Sequence, residues 1–77
     1  MIEIEGVVTW RNRMGRRSVF RVQSGNEDYL VELSEAHLEN YQEVRLVDLD
    51  ESIKITGEPH EHPKMGHYIR AKTFTRK

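Results

Sequence analysis

The chain has 77 residues, which is one domain's worth, and a formal charge of −1. A chain this short buries only ~60% of its unfolded surface, so its core is small and a large lined active-site cavity is excluded. It has no cysteine, which excludes disulfides and thiolate metal sites and suits a reducing cytoplasm. The start, Met1-Ile2-Glu3-Ile4-Glu5, alternates acids with apolar residues and does not read as a signal peptide. No stretch is long and apolar enough to span a membrane.

The charge is segregated along the chain. Residues 10–23 hold Arg11, Arg13, Arg16, Arg17 and Arg21 and no acid. Residues 64–77 hold Lys64, Arg70, Lys72, Arg76 and Lys77, again with no acid. Residues 26–61 carry eleven acids against Arg45 and Lys54. Such blocks predict a bipolar surface, set against ordinary charge mixing once the chain folds.

The first predicted strand runs from Ile2 to Arg11, with Ile2, Ile4 and Val8 on one parity. Gly6 inside that run marks a bulge or sharp bend. Residues 11–17, Arg-Asn-Arg-Met-Gly-Arg-Arg, break the apolar pattern and read as a turn. Ser18 to Gln23 is the second strand. Ser24-Gly25-Asn26-Glu27-Asp28 is a turn, and Tyr29 to Leu33 is the third strand. The second and third strands should pair as an antiparallel hairpin.

Ser34 is a good N-cap and Glu35 suits a first helical turn. Leu38, Tyr41 and Val44 recur every three residues, which predicts a helix over about Glu35 to Glu43. Arg45 to Leu49 reads either as the helix end or as a short extended segment. Ser52 to Glu58 alternates as a fourth strand. A polar loop with both prolines spans Pro59 to Gly66. The fifth strand is His67 to Phe74. There Ile69 and Ala71 point inward, and Phe74 joins them if the strand bulges just before it.

This β-β-β-α-β-β order resembles the OB (oligonucleotide/oligosaccharide-binding) fold. Gly6-Val7-Val8, Ile53-Lys54-Ile55-Thr56-Gly57-Glu58 and Tyr68-Ile69-Arg70-Ala71-Lys72-Thr73-Phe74 carry the resemblance. It implies a mainly β, small five-stranded barrel whose first strand is shared between two sheets, with the helix plugging its bottom. It also implies a binding groove flanked by the loops after the first and fourth strands.

The candidate site residues follow from that frame. Arg11, Arg13, Arg16 and Arg17 in the first loop are candidates for phosphate contact. Trp10 beside them is either a stacking face for bases or part of the small core. Arg21 and Lys64 extend the basic set. Tyr68, Arg70 and Lys72 alternate outward on the fifth strand. There they serve base stacking and backbone neutralisation, or merely cover the barrel rim and solvate the strand.

Other chemistry finds little footing. His60, His62 and His67 lie near Glu58 and Glu61, but without the spacing of a zinc site. No phosphate loop, nucleophile elbow or HExxH is present, and the serines sit at turns, caps and strand edges. The expectation is a non-catalytic binder of single-stranded nucleic acid, DNA or RNA, without metal or cofactor and without a membrane. The alternative is a protein-interaction module or small subunit that uses the groove or the acidic face.

Overall fold

Five strands form in this computed structural model, which describes residues Met1–Lys77, and each is longer than its apolar alternation alone marks. They are β1 (Ile2–Met14), β2 (Arg17–Ser24), β3 (Glu27–Ser34), β4 (Ser52–His62) and β5 (Gly66–Arg76). They close into a barrel in the order β1-β2-β3-β5-β4, the mainly β architecture that the resemblance implies. All neighbours are antiparallel except β3 and β5, which seal the barrel through Val31–Ile69 and Glu32–Arg70.

The turns are tighter than the sequence suggests. The basic stretch of residues 11–17 is mostly strand, because Arg11 to Met14 pair with Phe20 to Arg17. Only Gly15 and Arg16 turn. Gly15 has φ +67°, the conformation a two-residue hairpin with glycine first requires.

β1 is the strand shared by both halves of the barrel. Ile2 to Val7 pair with β4, and Val7 to Met14 pair with β2. Gly6 sits at the hand-over. No bulge occurs there; a Cβ on Gly6 would overlap the Gln23 carbonyl, so glycine permits a close backbone approach. The bulge falls instead between Val8 and Trp10. Ile4 and Val8 are buried, and uninterrupted alternation would bury Trp10 as well. The extra residue, Thr9, reverses the parity and turns Trp10 outward.

β4 continues four residues past Glu58. Its pairing with β1 ends at Gly57, while pairing with β5 runs on to His62–Gly66. Pro59 therefore lies where β4 has a free edge, a position at which a missing N–H is tolerated. The register between β4 and β5 slips at Lys72, so Ile69, Ala71 and Phe74 are all buried.

The predicted helix is displaced. Residues 34–40 form turns, and α1 covers only Tyr41–Val44. Ser34 still acts as a local cap, since its Oγ accepts from Ala36 N at 3.1 Å. Four backbone bonds here run from residue i to i−3, His37 to Ser34, Glu43 to Asn40, Leu46 to Glu43 and Val47 to Val44, beside one i to i−4 bond from Leu38 to Ser34. A three-residue apolar period fits such tight turns better than a 3.6-residue helix. Leu38, Tyr41, Val44 and Val47 accordingly all face the core and close the barrel end. Tyr41 Oη shares a buried hydrogen bond with Ser18 Oγ at 3.0 Å. No helix is long and apolar enough to cross a membrane.

Candidate nucleic-acid interface

The outer face of β1, β2 and β3 holds a groove of about 410 Å³. Its lining follows from strand alternation. Once the Thr9 bulge has set the parity, Trp10, Asn12 and Met14 share one face of β1. Trp10 lies opposite Arg21, and Asn12 opposite Val19. Leu30 of β3 extends the floor, and Met65 reaches in from the β4–β5 turn. Trp10 is 45% exposed, which decides between the two readings of it: it is a groove residue and not core. A second hollow of about 220 Å³ continues past Leu30 between β3 and the β4–β5 hairpin, beside Tyr29, His60 and Tyr68.

The same alternation sends Arg11 and Arg13 to the opposite face of β1. Arg11 Nη1 donates to the Val47 carbonyl and to Asp48 Oδ1, the latter at 2.9 Å. Arg13 Nη2 donates to the same carbonyl at 3.3 Å. Both therefore pin the α1–β4 connection and do not line the groove.

Arg16 and Lys64 sit in the two hairpin turns that flank the groove, exposed and without a carboxylate partner. Within the face, Arg21 pairs with Asp28 at 3.2 Å. Arg17 Nη1 and Arg70 Nε both donate to Glu32, at 3.3 and 3.1 Å. The hydrogen bond to Glu32 is the largest influence on Arg70 and raises its pKa above the ordinary arginine range, against an opposing desolvation. Of these cations Arg21 lines the groove itself, Arg16 shares a separate hollow with Glu35, and Arg70 lies opposite Glu58 on β4.

Tyr68 points outward from β5 yet is only 7% exposed. Its ring stacks on His60, with centroids 5.6 Å apart and planes 23° apart. Its hydroxyl accepts from Arg70 Nη2 at 3.0 Å, and the guanidinium carbon lies 5.9 Å from the ring centroid. The ring is therefore engaged within the fold and leaves little face for a ligand. Lys72, at the β5 bulge, pairs with Glu58 at 3.6 Å, away from the groove.

Trp10, Arg16, Arg17, Arg21, Lys64 and Arg70 are thus brought to one face, while Arg11, Arg13, Lys72 and the Tyr68 ring are turned to other tasks. Sequence reasoning missed Val19, Leu30 and Met65 as groove residues, and Glu32 as the hub of two arginines. Period-two alternation through Met14 would have found the first two. The pairs at Glu32 span 15 and 38 residues, and no local pattern signals them. No cluster of three or more metal-ligating side chains forms; His60, His62 and His67 stay dispersed along the β4–β5 hairpin.

No protein-family model and no curated protein matches the chain. Solved structures do. Asparaginyl-tRNA synthetase from Pyrococcus horikoshii superposes with a TM-score of 0.87 at 10% identity over 97% of this chain. The chain spans 19% of that synthetase's length. The OBody NL8, solved bound to hen egg-white lysozyme, matches with a TM-score of 0.79 at 15% identity, over 97% of this chain and 90% of its own. The Stn1–Ten1 complex of S. pombe gives 0.79 at 11% identity, over 99% of this chain and 57% of the matched chain. At such identities the likeness speaks to architecture: the chain has the OB fold.

Proposed function

We propose that this OB barrel binds single-stranded nucleic acid, without catalysis, along the groove between the β1–β2 and β4–β5 turns. The observation that carries the reading is Trp10, held out of the core by a bulge into a largely apolar groove that also holds Arg21, with Arg16 and Lys64 in the adjacent turns. Trp10 supplies a stacking face, and such base–aromatic contacts contribute about 1–3 kcal/mol each. Arg16 and Lys64 neutralise backbone phosphates at the two rims, with Arg21 behind them. Stacking and backbone contacts read little sequence, so binding is weakly selective and the site accepts DNA or RNA. The absence of cysteine suits a cytoplasmic setting. Nucleic-acid and protein partners both appear among the structural neighbours, in a tRNA synthetase, an OBody on lysozyme and the Stn1–Ten1 complex.

A second reading, a protein-interaction module, draws on the apolar share of the groove: Met14, Val19, Leu30 and Met65. One titration separates the two. Single-stranded oligonucleotides, DNA and RNA, are added at low and physiological salt while the fluorescence of Trp10 is followed. The nucleic-acid reading expects saturable quenching, with log K falling by about 0.7 per phosphate neutralised per tenfold rise in salt. It also expects Trp10→Ala, followed by the anisotropy of a labelled oligonucleotide, to lose about tenfold in affinity, within the range of one stacked base. No binding of either polymer at low salt would reject it in favour of a protein partner.

A further inference from the structure

We propose that Glu32 is a counter-charge built into the outer face beside the groove, restraining Arg17 and Arg70 and thereby setting the affinity and salt dependence of nucleic-acid binding. The inference rests on the nucleic-acid reading and adds a residue that opposes binding. Glu32 lies mid-strand in β3, in register with Val19 of β2 and Arg70 of β5. Its side chain is 9% exposed, whereas those of Arg17 and Arg70 are 48% and 31% exposed. The carboxylate thus sits beneath two cations that face outward.

A buried carboxylate is an odd choice for this position. Central strand sites favour β-branched and aromatic side chains, and buried ion pairs add little net stability once desolvation is counted. Two arginines around one carboxylate leave a single net positive charge where two would otherwise face a polyanion. Arg17 has no other hydrogen-bonding or charged partner, so Glu32, shared with Arg70, is its one counter-charge. Arg70 is held on both sides, by Glu32 through Nε and by the Tyr68 hydroxyl through Nη2. A phosphate reaching either guanidinium meets the Glu32 charge just below it. Nucleic acid must therefore compete with Glu32, and the restraint falls on two cations beside the groove.

Glu32→Gln keeps the shape and one acceptor oxygen but removes the charge. Oligonucleotide affinity should rise several-fold at low salt. The slope of log K against log salt should steepen by about 0.7 for each phosphate newly contacted. A merely structural role for Glu32 predicts the reverse, weaker binding with an unchanged or shallower slope, and that result would overturn the proposal. Arg17→Gln provides a second test that needs no change at the buried site. In the natural protein it should cost no more than about twofold, because Arg17 is already bonded to Glu32, and in the Glu32→Gln background it should cost several-fold more. A full several-fold loss from Arg17→Gln alone would overturn the restraint even if Glu32→Gln does not fold. If neither the natural protein nor the variants bind oligonucleotide, the nucleic-acid reading itself fails. Binding by the natural protein without gain in Glu32→Gln overturns this inference alone.

Discussion

Replacing Gly6 with alanine tests the architecture that places Trp10 in the groove. An added Cβ would overlap the carbonyl oxygen and carbon of Gln23 and come within 3.1 Å of Val22 Cγ1. Two of those three atoms are backbone, so no rotamer change relieves the clash. β1 is also bonded to β4 at this point, through Gly6–Ile53 and Val7–Ser52, so movement away from β2 strains a second ladder. Overpacking in a core typically costs 1–3 kcal/mol, and a clash against backbone belongs near ~3 kcal/mol. A domain of this size has about 4–12 kcal/mol of total stability. At about 4–8 °C per kcal/mol, Gly6→Ala should lower the melting temperature by roughly 12–24 °C. Gly15→Ala is the control, because Gly15 has φ +67° but nothing within 4 Å of its added Cβ. It incurs only the left-handed penalty of about 1–2 kcal/mol, partly offset by a stiffer unfolded chain. Circular-dichroism melts of both variants, with urea unfolding to check that m is unchanged, decide the matter. A Gly6→Ala protein that melts within a few degrees of the parent, or no lower than Gly15→Ala, would refute the close-approach argument.

Two further outcomes follow from the geometry. Tyr41→Phe removes the partner of a fully buried serine hydroxyl, Ser18 Oγ, and should cost about 1–3 kcal/mol. Removing both hydroxyls, with Ser18→Ala added, should recover part of that loss; a double variant whose loss equals the sum of the singles would show that the bond is not coupled. At the barrel's edge, the hydrogen bond from Lys77 Nζ at 2.6 Å is the main reason that Glu5 is held below the ordinary carboxylate range. A depressed folded pKa means that the contribution is present above the unfolded value and is lost as pH falls through the lowered one. Lys77→Gln should therefore raise the Glu5 titration midpoint followed by NMR, and an unmoved midpoint would remove Lys77 as the cause.

Strand order and closure were legible in the sequence because alternation and glycine-marked turns are local signals. Gly15 and Gly25 both take positive φ at the hairpin turns that their neighbours suggest. The inward set Ile69, Ala71 and Phe74 was readable because three apolar residues at uneven spacing imply a bulge, which Lys72 supplies. The helix lies later than expected because a three-residue apolar period resembles helical periodicity, whereas here it follows a run of mostly i−3 turns. Trp10 was undecidable because its direction depends on one bulged residue, Thr9, in an otherwise regular strand.

Charge was the least legible property, for a physical reason. Folding brings the acidic middle segment onto both basic ones. Arg11 meets Asp48, Arg17 and Arg70 meet Glu32, Arg21 meets Asp28, Lys72 meets Glu58 and Arg76 meets Glu51. Cations that look equivalent along the chain are therefore unequal on the surface. Only Arg13, Arg16, Arg45 and Lys64 lack a carboxylate partner, and two of these four sit in the turns on either side of Trp10. A count of basic residues would rank Arg11, Arg17 and Arg70 level with Arg16 and Lys64 as phosphate ligands. Pairing ranks them differently, because a guanidinium already bonded to a carboxylate must break or share that bond before it can bind phosphate. On the proposed nucleic-acid reading, the free cations in the turns would govern first contact with a polyanion, while those bound to Glu32 and Asp28 would govern how tightly it is held.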